Sequence, residues 1–227
     1  NMQFFKTVLP RLAETRRVSL FYEIKANLKR EQVRLLAEAR VDHIQPGIES
    51  LSDESLRLMR KGSTKMQNVQ ILRWGAESGL GVRWNYLIGF PGENDDELVE
   101  IAEEARSLHH LDPPTVGVVL RVERVSPYFD GAEKYGLAPL RPNDAYRHVY
   151  PFPDESLARL AYFFEAEPLA RTARGASLQI VRSMVRRWNH NHGRSCLSAV
   201  PRRKSLIVID TRRSARRWVH RLTGLRR

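Results

Sequence analysis

Within its first hundred residues this chain carries three apolar runs. Each ends on polar side chains, and each is followed by a segment of helical period. The runs are Phe21-Tyr22-Glu23-Ile24-Lys25, His43 through Ser50, and Val82 through Glu93. A strand-then-helix rhythm of this kind writes a parallel sheet with crossover helices, and in (β/α) barrels the chemistry sits at the C-terminal ends of the strands. The polar residues fall at those ends, so Glu23, Glu49 and Asn85 read as members of one site. The expected fold class is therefore α/β. Residues 1–150 should form a partial (β/α) TIM-like barrel, followed over 151–227 by a helical, basic region with a short β-hairpin.

Size limits the barrel. The chain has 227 residues, and a complete eight-stranded barrel takes roughly 250. The sequence opens at Asn1, inside what reads as a helix from Met2 to Glu14, so a piece of a longer protein is expected. No apolar run reaches the ~18 residues of a membrane span, and no secretory pattern opens the chain. The cytoplasm is the expected compartment. The single Cys196 excludes an internal disulfide and a cysteine-ligated metal cluster within these residues. It reads as a small buried hydrophobe, because no base lies near it in sequence.

The formal net charge of +12 is unevenly placed. From Arg171 onward sixteen Lys or Arg stand against one acid, Asp210, which leaves the rest of the chain slightly acidic. A one-sided basic segment suits an anionic partner such as nucleic acid, and it equally suits a solvated arginine-rich surface.

Periodicity places the remaining elements. Strands are expected over Val18 to Lys25, Val41 to Ile48, Gly81 to Ile88 and Val116 to Val122. Helices are expected over Leu28 to Arg40, from a Ser52 or Asp53 cap, from Ser63 or Thr64 to Gly79, and from Asn94 to His110. Glu123 to Tyr150 reads as a long loop. Pro153 to Glu165 and Pro168 to Trp188 read as helices. Ser205 to Asp210 reads as a strand pairing with Ser195 to Val200, and Ser214 to Leu222 as a basic amphipathic helix.

The strand ends offer a complementary set of groups. Glu23 and Glu49 are carboxylates that accept from an ammonium or from ribose hydroxyls. Asn85 is an amide, and Lys61 is a cation suited to a carboxylate. Gly89 and Gly92 remove side chains where a flat ring would approach the backbone. Together they match a zwitterionic amino acid joined to a nucleoside, the shape of S-adenosylmethionine. Each residue also has an ordinary reading: a strand-end Glu is often a solvated loop residue, and Lys61 suits a helix C-terminus. His109-His110 and His190-x-His192 read as helix-end histidines and not as metal ligands. Tyr128, Tyr135, Tyr146 and Tyr150 either line a channel or pack their loop. No metal ligands and no catalytic residue are assigned.

The runs Gly47-Ile48-Glu49-Ser50-Leu51-Ser52-Asp53-Glu54, Leu58-Met59-Arg60-Lys61-Gly62 and Leu87-Ile88-Gly89-Phe90-Pro91-Gly92-Glu93 resemble the radical S-adenosylmethionine superfamily. Phe21 to Leu28, Gln45-Pro46-Gly47, Leu72-Arg73-Trp74 and Ser126-Pro127-Tyr128-Phe129 are similar to its cobalamin-dependent C-methyltransferases of ribosomal peptide maturation. The resemblance implies that Glu23, Glu49, Ser50, Lys61, Asn85, Leu87, Gly89 and Phe90 bind S-adenosylmethionine. Lys61 would take its carboxylate, Asn85 its ribose, and Leu87 to Phe90 its adenine. It further implies a [4Fe–4S] cluster and cobalamin in the intact protein, and a ribosomally made precursor peptide as partner. The family's Cys-x-x-x-Cys-x-x-Cys loop and cobalamin domain are absent, so truncation before Asn1 is expected, and this segment alone should be inactive. Two alternatives remain: an RNA-modifying methylthiotransferase-like enzyme, and a catalytically silent remnant that binds a peptide or partner.

Overall fold

The computed structural model describes residues 2–15 and 19–224. Val18, the expected start of the first strand, lies outside them. Helix α1 (Met2–Thr15) leads to strand β1 (Leu20–Ile24), and α2 (Arg30–Glu38) crosses to β2 (Val41–Pro46). Two caps then start two helices. The Ser52 hydroxyl accepts from the Ser55 amide at 2.9 Å to begin α3 (Asp53–Leu58). Thr64 and Gln67 exchange side-chain and backbone bonds, a capping box, to begin α4 (Lys65–Ser78). Gly79, at φ +68°, ends α4 in the left-handed region. Next come β3 (Gly81–Val82), β4 (Tyr86–Ile88), α5 (Asp95–Glu104) with a 3₁₀ turn to Leu108, and β5 (Gly117–Val119).

All pairings among these strands are parallel. β2 lies between β1 and β3, and β4 pairs with β5. The Leu87 amide donates to the Glu49 carbonyl at 2.8 Å, within a parallel bridge between Glu49 and Tyr86, and joins the two groups of strands. The expected strand from Gly81 to Ile88 is thus two pieces. It changes partner in the middle: Arg83 donates to the Ile44 carbonyl, and Trp84 accepts from Thr115. The described residues do not close this sheet into a barrel.

The helices lie against one face only. Core residues of α1, α2, α4 and α5 pack with Ile44, Val82, Tyr86 and Ile88 in one cluster, whose partly buried margin includes Leu20, Tyr22 and Ile24. The alternate residues of β1, Phe21 and Glu23, are exposed on the other face, where the register sets them opposite His43 and Gln45.

The segment expected to be one long loop is a folded lobe. It holds β6 (Val122–Glu123), α6 (Pro127–Asp130), β7 (Arg141–Pro142), α7 (Ala145–Val149), α8 (Asp154–Leu160) and β8 (Phe163–Glu165). Both β6 and β7 pair antiparallel with β8. Val122, Leu137, Ala161, Phe164 and Leu169 form its core, with Tyr128, Tyr135 and Tyr146 packed against it, so those tyrosines hold the lobe together. The helix expected from Pro153 to Glu165 stops at Leu160. Phe163 and Phe164 favour strand geometry, and two neighbouring strands offer them partners.

The helix expected from Pro168 to Trp188 is broken at Gly175 into α9 (Glu167–Arg174) and α10 (Ala176–His192). Helix α10 joins the main core through Leu178, Val181, Met184 and Trp188. Its Trp188 ring meets Trp84 edge-on at 5.9 Å. The two indoles donate to the carbonyls of Leu111 and Asp112, as buried indoles require.

The hairpin expected near the C-terminus is present as β9 (Leu197–Arg202) and β10 (Ser205–Asp210). Two further expectations fail. Ser214 to Leu222 is not a helix: Val219–Thr223 forms β11, antiparallel to β10. Trp218, Val219 and Thr223 favour strands, and the unpaired edge of β10 supplies a ladder that outweighs the helical spacing of the arginines. Cys196 is exposed, because it sits where the chain leaves α10 for the edge strand β9 and not in a core.

Candidate functional site

The C-terminal ends of β1 and β2 open on a cavity of about 280 Å³, lined by Ile24, Lys25, Gly47, Arg60, Lys61 and Ser63 among others. Glu49 is held at φ +58°, a backbone state uncommon for a residue with a side chain and one that redirects its carboxylate. Its Oε1 lies 3.4 Å from Lys61 Nζ. That exceeds the ~2.7–2.9 Å of a tight charge-assisted bond, so both partners keep capacity for a ligand. Gly47 makes the arrangement possible: a Cβ there would stand 2.9 Å from Lys61 Nζ.

The strand end is braced from behind. Asn68 of α4 is fully buried, and its amide donates to the carbonyls of Ile48 at 3.0 Å and Ser50 at 2.9 Å. Ser50 is also fully buried. Its hydroxyl donates to Tyr86 Oη at 3.3 Å and accepts from the Ser52 amide. Burial pushes the Tyr86 phenol up to about 12, so it stays neutral. Ser50 therefore sits behind the rim that Glu49 and Lys61 form.

A second cavity, of about 350 Å³, opens at the end of β4 between Gly89, Phe90, Pro91, Gly92, Glu93, Leu137 and Leu169. Gly89 and Gly92, at φ +90° and +92°, shape the turn. Glu93 clamps it, accepting from the amides of Gly89 at 2.5 Å and Phe90 at 3.1 Å. Burial raises the Glu93 carboxyl above the usual range, against hydrogen bonds from Ser55 and these two amides. Phe90 is buried and meets Tyr128 edge-on at 5.7 Å.

Of the residues expected from sequence, the structure brings Glu49 and Lys61 together, with Leu87 bonded to the Glu49 backbone. Gly89 and Phe90 share the second cavity. Asn85 is half-buried immediately before β4, beside the Glu49–Tyr86 bridge. Glu23 is exposed on β1 opposite Gln45, and like Glu49, Ser50, Asn85 and Leu87 it lines neither cavity. Sequence reasoning missed three supports: Gly47, Asn68 and Glu93. Asn68 carried a signal, since it is an amide on the same helical face as Ile71, Leu72 and Gly75.

The donor set fits an adenosyl amino acid. The Lys61 ammonium borders a cavity at the ends of β1 and β2, the Glu49 carboxylate stands 3.4 Å from that ammonium, and a glycine-shaped turn borders the next cavity. It does not fit an iron–sulfur cluster. Among the described residues no three His, Cys, Asp or Glu are grouped to hold a metal, and Cys196 stands in the distal sheet. No helix among them is long and apolar enough to cross a membrane.

No match is found among curated proteins. Among solved structures, the chain is similar to the radical S-adenosylmethionine methyltransferase TsrM from Kitasatospora setae with tryptophan substrate and the SAM analog aza-SAM bound. That likeness has a TM-score of 0.50 at 19% identity and covers 61% of this chain and 29% of that one. TsrM with cobalamin and a [4Fe-4S] cluster bound gives 0.47 at 21% identity, over 60% and 28%. The chain thus spans less than a third of the TsrM chain. Residues 6–105 match the family model described as the Radical SAM superfamily. Over that stretch, which holds Glu23, Glu49, Lys61, Asn85 and the turn from Gly89 to Glu93, the chain is similar to the radical SAM superfamily.

Proposed function

We propose that this chain is the S-adenosylmethionine-holding part of a radical methyltransferase whose substrate is a ribosomally made peptide. The observation that carries the reading is the loose Glu49–Lys61 pair over Gly47, just beyond the end of β2. Glu49 would take the cofactor's ammonium and Lys61 its carboxylate. Asn85 would take the ribose, and the turn from Gly89 to Glu93 would border the adenine. Bound S-adenosylmethionine supplies the transferable and reducible sulfonium, and the chain's own residues orient it and exclude water. A cluster and cobalamin would be held by residues other than those described.

Isothermal titration of the purified chain with S-adenosylmethionine tests the assignment. Glu49→Ala and Asn85→Ala should each weaken binding by about tenfold, the loss of one charge-assisted or amide contact. Equal affinity in both variants would sink it. The peptide part is supported by the similarity to peptide-modifying members over Phe21 to Leu28 and Ser126 to Phe129. It is tested by methyl incorporation into the precursor peptide with the reconstituted full-length enzyme.

A further inference from the structure

The two rims of the sheet formed by β9, β10 and β11 differ. Asp210 donates to the Trp218 carbonyl and Thr211 to the Cys196 carbonyl, each at 2.9 Å. Ile209 faces Val219, and Asp210 faces Leu197. The alternation of antiparallel pairs then directs the backbone groups of Val219, Arg221 and Thr223 off one rim. It directs those of Leu197, Ala199 and Pro201 off the other. Pro201 has no N–H, so the β9 rim is interrupted in the manner of protected edges. The β11 rim keeps every donor.

Charge frames the open rim. Between positions 194 and 224 nine Lys or Arg accompany one acid, Asp210, and Arg212 already engages it. Arg213, Arg216 and Arg217 lie before Val219. Arg202, Arg203 and Lys204 lie at the other end, beside the Ser205–Thr223 pair. Between the two cationic ends Val219 is 60% exposed and Leu222 44%, next to Trp218 at 71%. The central strand carries Leu206, Ile207, Val208 and Ile209, and β11 carries His220 and Arg221 between its apolar residues. A row of unpaired backbone donors and acceptors on β11, flanked by cations, matches an extended acidic peptide, which can extend the ladder, better than a nucleic acid, which cannot.

We propose that the rim of β11 takes an extended peptide segment as a fourth strand, with apolar alternate side chains and acidic residues on both flanks. Five residues of β11 give a span of about 17 Å for the added strand. That this segment belongs to the substrate peptide rests on the function proposed above; the strand addition itself rests on the sheet.

Fluorescence anisotropy of the full chain tests this, with a labelled synthetic peptide of alternating valine and threonine between glutamate pairs as the probe. Arg221→Pro deletes an outward N–H without touching the β10 ladder and should weaken binding by about tenfold, whereas Arg221→Ala keeps that N–H and should weaken it by about threefold or less. Arg216→Glu combined with Arg217→Glu should also weaken binding by about tenfold, and serves if the proline variant does not fold. Equal binding by the two Arg221 variants, no binding by the native chain at low salt, or tighter binding of a single-stranded RNA at the same rim would overturn the proposal. S-adenosylmethionine affinity measured on the same samples keeps the readings apart. Native cofactor binding with no peptide capture defeats the rim alone, and peptide capture without cofactor binding defeats the function alone.

Discussion

Lys61 Nζ stands 2.9 Å from the point where a Cβ on Gly47 would be, and 3.4 Å from Glu49 Oε1. The ammonium therefore occupies space that only glycine leaves free. Gly47→Ala should push the flexible lysine tip outward with little effect on folding. S-adenosylmethionine affinity should then fall by about tenfold, as in Lys61→Met. Titration calorimetry alongside a thermal melt reads both. Unchanged affinity in Gly47→Ala would detach the lysine from the cofactor.

Asn68 braces the strand end that presents Glu49. Asn68→Ala would leave the Ser50 carbonyl without its donor and the Ile48 carbonyl with the Ser50 amide alone, at a cost of about 1–3 kcal/mol. Urea unfolding measures this. A loss below about 1 kcal/mol would mean the carbonyls find other partners.

Arg212 fastens the C-terminal sheet to the body. It grips both oxygens of Asp210, at 2.8 and 2.6 Å, and donates to the Ser107 carbonyl at 2.6 Å. Both side chains are mostly buried, so Arg212→Ala should cost about 3 kcal/mol. Hydrogen exchange should then rise across β9, β10 and β11 before the rest of the molecule. Arg212 also holds the Asp210 carboxyl below its ordinary 3.8. That contribution is present above 3.8 and lost as pH falls through the lower folded value, a step Arg212→Ala should lack.

His110 gives a slope of the same sign in a higher window. Burial, then the nearby Arg212, push its imidazole down to about 4 from an ordinary 6.5. The unfolded chain takes up the proton first, so stability should fall as pH drops from 6.5 to about 4 and be flat above 6.5. Asp210 and His192 also act on this ring, and Asp112 pairs with His192 at 3.3 Å. His110→Gln should flatten the melting temperature across that window. An unchanged slope would show that His110 does not carry it.

Much of the parallel unit was legible because each of its signals is local. Val33 and Leu36 repeat at the period of a helix. Ser52 and Thr64 are caps readable from one turn of chain, and Gly79 stops a helix through its own backbone freedom. Glu49 and Lys61 were legible as an opposite-charge pair because a carboxylate and an ammonium flank the same helix. Asn68 and Glu93 were not, because their partners are backbone atoms that only the folded turn brings near.

By itself the sequence determined where helices start and stop through the first hundred residues, and which residue types stand at the strand ends, since periodicity and capping act within a few residues. Tertiary structure alone decided that Gly81 to Ile88 would split between two partners and that Val219 to Thr223 would leave a helical pattern for the edge of β10. It also decided that Lys61 would lie over Gly47. Each of these depends on what a distant segment offers in hydrogen bonds or space, and no local propensity carries that information.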